Sequence, residues 1–502
     1  MTLRVGPANR LEGTTLTSRC RNSSLARYVG RFLAFLSVTA VTLGCANGDF
    51  PRGEPTPVPV PELAPLRERA ADLLSRAIRI RTVNPPGDER PLAALLVAEM
   101  HSAGLEALLV ETPGGASEVG RAAAWGRLKG AGGKPPLILL SHLDVVPAEG
   151  GRWRHPAFDG VRTRSEIYGR GAQDAKGVTV VHLLTLIELA RRNRPLERDL
   201  IFLATPDEET GGLDGAGWIS EERPDLLGDA RYLLTEGGGI LTRPGAPDTW
   251  HVAITEKTPC WLRISAKGPP GHSSVPPEET AVSRLLDALE GIRRLEAGLR
   301  VTPEVARMFA ALAPAAPEED AAAFRDLATA LASDPEFRAR FLAQPVYASL
   351  VRDTLTITVL DAASRTNVLP ARAEAHVDAR LLPGGRCSRF SERVRAAAAA
   401  PGVEVETLLS FRTQSSPIDT LLYRAIRQAA GTEALTVPRV VSGFTDAHWF
   451  RERGIVAYGF VPRWHRIGEK RGIHGPNERI TLDNLEHGIT TLIQILDTLD
   501  LL

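Results

Sequence analysis

Three short apolar runs in this 502-residue chain are each followed by acidic or histidine residues, and this repeated pattern narrows the fold. The runs and the residues after them are 137–140 with His142, 200–204 with Asp207-Glu208-Glu209, and 232–234 with Glu236. In open α/β sheets, ligands bind in the crevice beyond the carboxyl ends of the strands. If the runs are neighbouring strands, they direct these side chains into one crevice. With Asp174 and His474 added, the set suits a pair of divalent metal ions.

The pattern along the chain predicts one domain interrupted by another. Over residues 65–256, strand-like runs alternate with helix-like stretches, which favours an α/β domain with a mostly parallel sheet flanked by helices. Residues 257–412 combine alternating strands with two helices, which is typical of a smaller inserted α+β domain. Its Ala-rich segment at about 300–350 is predicted to be a helical insertion. Residues 413–502 return to helices and short strands and complete the first domain.

The amino terminus has the features of an export signal. Arg27 and Arg31 precede an apolar run at 32–44, which is too short to span a bilayer and fits the core of a signal peptide. The small residues before Cys45 are similar to a bacterial lipoprotein cleavage site. We therefore expect residues 1–45 to be a leader that places the protein in the cell envelope, on the periplasmic side, anchored through a lipid on Cys45. Periplasmic or secreted export without lipid is the alternative.

Composition limits the partners and the cysteine chemistry. Residues 46–64 are rich in proline and predict a semi-rigid linker. The formal net charge is +0, with 60 basic and 60 acidic residues and no basic stripe, so nucleic-acid binding is not expected. Contact with a membrane is expected only through Cys45. In an exported protein Cys260 and Cys387 could pair, but the sequence does not place them in contact.

Each polar segment, taken alone, is a weak signal. His142-Leu143-Asp144 fits a metal ligand whose second ring nitrogen is held by an acceptor, but a polar strand end is the more common explanation. Asp174 follows a glycine-rich turn that matches neither nucleotide-binding fingerprint, and it could be a helix cap. Of Glu208 and Glu209, one could be a metal ligand and the other a general base, or both could belong to a solvated acidic turn.

In order, however, the segments resemble the co-catalytic zinc amidohydrolase and peptidase family. That family includes aminoacylase, acetylornithine deacetylase, succinyl-diaminopimelate desuccinylase and glutamate carboxypeptidase. The resemblance runs over roughly residues 66–502 and also includes the segments 271–276 (GHSSVP), 366–370 (TNVLP) and 474–478 (HGPNE). It implies a zinc-peptidase-like mostly parallel sheet and an inserted ferredoxin-like lid or dimerisation domain. The extra segment at 300–350 makes the chain more similar to the carboxypeptidase S and N-fatty-acyl-amino-acid hydrolase branch.

The resemblance also implies a role for individual residues. The expected metal ligands are His142, Asp174, Glu209, Glu236 and His474, with Asp174 bridging two ions. Glu208 is expected to be the general base, Asp144 to orient His142, and His272 to stabilise the oxyanion. Asn367, Arg380 and Thr445 are expected to contact substrate, although Phe444 stands beside Thr445 where the family has a small residue.

The function expected from these parts is hydrolysis of an amide bond next to a free carboxylate, by a carboxypeptidase or an N-acyl-amino-acid hydrolase. The expected cofactor is two Zn²⁺, which Co²⁺ or Mn²⁺ could replace. The expected partners are a small-molecule or peptide substrate and a second copy of the chain, bound through the inserted domain. The alternative is a lipid-anchored protein that binds peptides or amino-acid conjugates on the same fold without catalysis. An aminopeptidase has less support because no group dedicated to a substrate amine is evident.

Overall fold

The structure, a computed structural model, describes residues 65–115, 120–148, 152–192, 195–469 and 471–502. The predicted leader, the proline-rich linker and Cys45 lie outside these residues. The described residues all belong to one compact unit. In the described ranges, no helix combines the length and the apolar character needed to cross a membrane.

The strands vary from two to ten residues in length. They are β1 Glu106–Glu111, β2 Ala122–Leu128, β3 Lys134–His142, β4 Val161–Arg162, β5 Glu166–Tyr168, β6 Arg198–Thr205, β7 Tyr232–Thr235, β8 Gly239–Thr242, β9 Thr249–Glu256, β10 Thr258–Lys267, β11 Gly271–His272, β12 Thr354–Asp361, β13 Val368–Leu369, β14 Arg372–Leu381, β15 Val403–Ser410, β16 Leu435–Val441, β17 Val456–Gly459, β18 Trp464–Arg466 and β19 Arg479–Thr481.

The α-helices lie between these strands, except that the first two precede β1 and the last follows β19. They are α1 Leu66–Arg79, α2 Arg90–Ser102, α3 Lys176–Arg191, α4 Trp218–Glu222, α5 Ala281–Arg293, α6 Pro303–Leu312, α7 Glu318–Arg325, α8 Leu327–Ser333, α9 Pro335–Leu342, α10 Pro345–Leu350, α11 Cys387–Ala397, α12 Leu421–Ala430, α13 Ala447–Glu452 and α14 Leu482–Leu501. Several begin at a residue that caps free backbone N–H groups. Thr280 and Ser283 form a reciprocal capping box at α5, and the Thr481 hydroxyl accepts from the Asn484 N–H at α14.

The large sheet has the strand order β1-β2-β6-β3-β7-β17-β9-β8-β18, with β16 paired to β9. Strand β3 is parallel to both β6 and β7, and β17 is parallel to β7. Strands β1 and β2 form an antiparallel edge, and β9 runs antiparallel to β17 and β8. The predicted α/β class with a mostly parallel central sheet is confirmed. Strands β1, β2, β8 and β9 were not part of the prediction.

Helices cover both faces of this sheet, which explains why its central runs are apolar without alternation. Leu137 and Leu139 of β3 belong to a core shared with α1, α2, α3, α12 and α14. Ile138 and Leu140 belong to the core on the opposite face, shared with α4 and α13. Successive side chains of a strand point to opposite faces, so one run of four residues supplies both cores.

A second, antiparallel sheet has the order β12-β14-β10-β15. Its buried side chains pack with α5 and α11 in a core of their own. Burial alternates along β14, as a sheet with one covered face requires. Cys260 of β10 and Cys387 of α11 form a disulfide across this core, with their Cα atoms 5.2 Å apart. The disulfide resolves a pairing that the sequence left open.

The helices α6–α10 form the segment predicted as a helical insertion. Their core contains Phe309, Phe337 and Phe341, and it also includes Val437 and Val440 of β16. In space these helices therefore pack against a strand of the large sheet, although in sequence they interrupt the strands of the smaller sheet. This packing forms a cavity, described below.

Candidate metal centre

The ends of three neighbouring strands bring the predicted metal ligands together. Strand β3 lies between β6 and β7 and is parallel to both, so all three strands end at the same edge of the sheet. His142 is the last residue of β3, Glu208 and Glu209 follow β6, and Glu236 follows β7. The strand register alone therefore delivers four candidate side chains to one crevice.

One group of donor atoms consists of His142, Asp174 and Glu236. His142 Nε2 lies 3.0 Å from Asp174 Oδ1 and 3.3 Å from Glu236 Oε1. His142 is almost fully buried at the base of the crevice, and both carboxylates are largely buried. Asp174 enters from the loop before α3. A single divalent ion could take all three side chains as ligands.

A second group consists of Asp174, Glu209 and His474. His474 Nε2 lies 3.2 Å from Asp174 Oδ2 and 3.3 Å from Glu209 Oε2. The two oxygens of Asp174 thus face different histidines, which is the arrangement of a carboxylate that bridges two ions. The His474 side chain is 54 % exposed, so the crevice opens to solvent on this side.

The chemistry of these side chains fits divalent metal ions. Imidazole nitrogen and carboxylate oxygen are ordinary ligands of zinc. Glu209 Oε1 is buried and has no hydrogen-bond partner among the described residues, so an acceptor is left without a cation or donor. Burial raises the pKa values of Glu208, Glu209 and Glu236, because charged carboxylates are costly in a low-dielectric crevice. Bound cations would offset that cost.

Hydrogen bonds between histidine and carboxylate side chains shift the pKa values of Asp174 and His474. Burial alone would raise the pKa of Asp174, but hydrogen bonds from His142 and His474 outweigh it and lower that pKa below its ordinary range. Hydrogen bonds to Asp174 and Glu209 raise the pKa of His474 to about 10. Both shifts reflect attraction between opposite charges at the positions where metal ligands are expected.

Asp144 organises the backbone around the crevice. His142 Nδ1 lies 3.0 Å from the Asp144 main-chain oxygen and 3.5 Å from its carboxylate. The carboxylate accepts from the N–H groups of Glu208 at 3.1 Å and Glu209 at 3.0 Å. Asn84 Nδ2 donates to it at 2.9 Å. The side chain of Asp144 therefore holds the turn that carries Glu208, while its main chain orients His142.

A buried hydrogen-bond network, which the sequence does not predict, supports this turn. Asp207 has a left-handed φ of 78° and accepts hydrogen bonds from Arg121 and from Thr210 Oγ1. Arg121 also donates to Asn84 Oδ1 at 2.7 Å. Arg121 lies in a segment without any motif, so only its position in the fold links it to the site.

Glu478 holds the loop that presents Asp174. Its carboxylate accepts from Arg170 Nη1 at 2.6 Å and from the N–H groups of Gly171, Gln173 and Asp174 at 2.8–3.0 Å. Glu478 is fully buried. The segment 474–478 therefore contributes His474 to the crevice and Glu478 to the support of Asp174.

Replacing Glu478 with alanine should lower the free energy of unfolding by about 3–5 kcal/mol, because Arg170 would remain buried without its partner. Denaturant unfolding followed by circular dichroism measures this change. Glu404→Ala is the matched control, since the Glu404–Lys267 pair is exposed and solvent screening leaves it little effect on stability. Equal losses for the two variants would contradict the assigned role of Glu478.

The crevice forms a cavity of about 410 Å³, here called the catalytic cavity. Its lining includes Asp174, Glu208, Glu209, Glu236, Trp261, Arg380, Phe444, Thr445 and His474. Arg380, from β14, lies 4.8 Å from the Phe444 ring centroid and 5.4 Å from that of Trp261. Asp378 accepts from its Nε and Nη2 atoms, whereas Nη1 is buried without a partner among the described residues. One cationic donor therefore remains available beside the metal ligands.

The remaining predicted residues differ in their distance from the crevice. Thr445 is buried in the cavity wall and donates to Glu256 Oε2 at 3.0 Å. His272 and Asn367 are exposed and are not part of the cavity lining. His272 lies on β11 and Asn367 immediately precedes β13, the strand paired with it, and the Asn367 main-chain oxygen accepts from the Ser273 N–H. Within one chain, this arrangement does not bring them to the metal ligands.

Comparison with known proteins agrees with this geometry. An N-fatty-acyl-amino acid synthase/hydrolase, PM20D1.1 from Danio rerio, is 28% identical over 387 residues, which cover 73% of this chain and 73% of that protein. Aminoacylase-1 from Sus scrofa is 27% identical over 444 residues, covering 85% of this chain and 94% of that protein.

Two solved structures share the fold. The M20 family metallo-carboxypeptidase Sso-CP2 from Sulfolobus solfataricus has a TM-score of 0.66 at 19% identity and covers 86% of this chain and 99% of its own. The Bacillus subtilis YXEP protein, described as a dinuclear metal binding peptidase, has a TM-score of 0.52 at 14% identity and covers 86% and 97%. Residues 138–498 match the model of peptidase family M20/M25/M40. The chain therefore belongs to peptidase family M20/M25/M40 and is a metal-dependent hydrolase of that family.

Proposed function

We propose that this protein is a two-zinc hydrolase that cleaves an amide bond next to a free carboxylate. One observation carries the proposal. Side chains from both candidate metal groups line the catalytic cavity together with Glu208 and Arg380, whose Nη1 is unpaired among the described residues. A substrate that spans these groups has a scissile carbonyl at one end and an anionic group at the other. N-acyl amino acids and peptides with a free carboxyl terminus meet this description.

Arg380 supplies the selectivity for a carboxylate. Asp378 and the rings of Trp261 and Phe444 hold its guanidinium plane in place. Because the guanidinium is already oriented, it can donate to an incoming carboxylate without losing side-chain freedom. Phe444, which departs from the small residue of the family pattern, thus has a structural role beside Arg380.

Glu208 supplies the proton transfers. It lines the cavity, and its Oε2 lies 4.0 Å from His142 Nε2. When bound, two divalent ions would lower the pKa of a water molecule and polarise the substrate carbonyl. Glu208 takes a proton from the attacking water molecule as the water oxygen bonds to the carbonyl carbon. It then returns that proton to the nitrogen as the carbon–nitrogen bond breaks, so that an acid and an amine leave.

The substrate class is tested by a hydrolysis screen of the metal-stripped protein reloaded with Zn²⁺, Co²⁺ or Mn²⁺. The panel contains acetyl, dodecanoyl and oleoyl amino acids and several dipeptides. Each substrate is matched with its carboxamide, which lacks the negative charge. Cleavage of free acids but not carboxamides is expected. A protein that retains two metal ions per chain and binds these compounds without cleaving any of them would instead support the non-catalytic binding protein.

The inserted domain is proposed to complete the site in a dimer. His272 is exposed and outside the catalytic cavity of its own chain. Strand β12 is an edge of the four-stranded sheet, and its Val359 and Leu360 side chains are 43% and 64% exposed. An apolar edge strand favours pairing with a second copy. In such a dimer, His272 of each chain would reach the metal-binding crevice of the other chain.

Export to the cell envelope is proposed on two grounds, the signal-like amino terminus and the Cys260–Cys387 disulfide. Disulfides persist in oxidising compartments such as the periplasm. If Cys45 is the lipid anchor, Cys45→Ala should move the protein from the membrane fraction to the soluble fraction. Fractionation with immunodetection measures the shift, and mass spectrometry tests for the lipid. A wild-type protein that is already soluble and unlipidated would exclude the anchor.

A further inference from the structure

A second cavity, of about 320 Å³, lies between helices α6, α7 and α10 of the insertion and the large sheet. We call it the insertion cavity. The insertion lines it with apolar side chains, including Met308, Leu312, Phe324, Tyr347 and Leu350. Arg439 of β16 and Arg471 line it from the other side. The proposed function assigns no role to this cavity, whose volume is typical of a small-molecule site.

No acidic residue in the described part of the chain lines the insertion cavity beside its arginines. The Arg439 side chain is partly exposed, and it makes no hydrogen bond or ion pair with any residue in the described ranges. The Arg471 side chain likewise makes no hydrogen bond or ion pair with those residues, although the nearby Glu469 carboxylate partly offsets the lowering of its pKa by burial. A partly buried guanidinium without a counter-charge is costly, and burial lowers the pKa of Arg439. An anionic ligand would supply the missing partner.

The side of the cavity formed by the insertion is largely apolar. Phe324 and Tyr347 belong to a cluster of edge-to-face rings with Phe309, at centroid distances of 4.9–6.1 Å. Val346 and Ile467, which also line the cavity, are 63% and 61% exposed. Large apolar side chains exposed at one opening are typical of a surface that binds an apolar group. The cavity therefore joins a cationic end to an apolar end.

We propose that the insertion cavity binds a long-chain carboxylate. The carboxylate group would pair with Arg439 and Arg471, and the alkyl chain would lie against the side chains of the insertion. This site is separate from the catalytic cavity. The two cavities are neighbours, because residues of the segment 440–443 line both of them. Val440 and Ser442 line the insertion cavity, whereas Val441 and Gly443 line the catalytic cavity. A fatty acid released by the proposed hydrolysis is one source of such a ligand, but binding does not depend on that reaction.

Calorimetry of the metal-loaded full-length protein with dodecanoate tests the proposal. Dodecanol, which lacks the charge, and acetate, which lacks the chain, are the ligand controls, and both should bind at least about tenfold more weakly than dodecanoate. Arg439→Met should weaken dodecanoate binding at least about tenfold, the loss expected from a charge-assisted hydrogen bond. Arg471→Met should also weaken dodecanoate binding. Because Arg471 lies outside the strands, this variant tests the proposal even if Arg439→Met does not fold.

Arg380→Met is the matched control, because it removes the unpaired guanidinium of the catalytic cavity instead. Any dodecanoate bound beside Arg380 would be lost in this variant, whereas the binding assigned to the insertion cavity should keep its wild-type affinity. Loss of binding in Arg380→Met with full binding in Arg439→Met would place the ligand in the catalytic cavity and overturn the proposal. Wild-type protein that binds dodecanol as tightly as dodecanoate would also overturn it. Neither outcome affects the hydrolysis screen, so the two proposals fail independently.

Discussion

Glu208→Gln should reduce kcat by about 100- to 10,000-fold while both metal ions stay bound. The glutamine keeps the shape of the side chain but cannot accept the proton of the attacking water. Glu208 belongs to neither candidate metal group, and its backbone N–H remains bonded to Asp144. Steady-state kinetics together with elemental analysis of the purified variant measures both quantities.

Glu209→Gln is the matched control for this prediction, because it changes the adjacent residue in the same way. Glu209 Oε2 lies 3.3 Å from His474 Nε2 within a candidate metal group. The variant should therefore lose metal, and part of its activity should return at high metal concentration. If Glu208→Gln lost the metal and Glu209→Gln kept it, the two roles would be reversed.

His272→Ala should lower kcat by about 100- to 1000-fold without changing the metal content, as expected for loss of a group that stabilises the oxyanion. KM should change little, since such a group acts on the transition state and not on the bound substrate. The exposed His101, on α2, provides the control, and His101→Ala should retain full activity. Near-normal activity of His272→Ala would exclude a catalytic role for this residue.

Mixed subunits test whether His272 acts in the partner's crevice. Inactive His272→Ala and inactive Glu208→Gln chains are combined, and the mixed dimers are isolated by differential tags. In a shared arrangement, one crevice of each mixed dimer has both Glu208 from one chain and His272 from the other, so part of the activity should return. No recovery in verified mixed dimers would mean that His272 reaches the crevice of its own chain by closure of the inserted domain.

The sequence by itself determined the central sheet and the group of side chains at its edge. Apolar runs at the centre of a parallel sheet are buried on both faces, so they can be recognised without any partner strand. The carboxyl ends of such strands meet at one edge, which is why His142, Glu209 and Glu236 could be expected together. The same reasoning failed for β1, β2, β8 and β9, because strands with mixed burial or antiparallel partners have weaker local patterns.

Only the tertiary structure decided which distant residues support or extend this site. Arg121 and Glu478 act through bonds to residues far away in sequence, and no local pattern records such bonds. The disulfide between Cys260 and Cys387 depends on how α11 packs on β10. Arg439 is an ordinary strand residue in sequence, and it lines a cavity only because the helices α6–α10 pack over β16. Periodicity and motifs are properties of residues close together in sequence. Buried ion pairs and cavities form only when segments distant in sequence pack together.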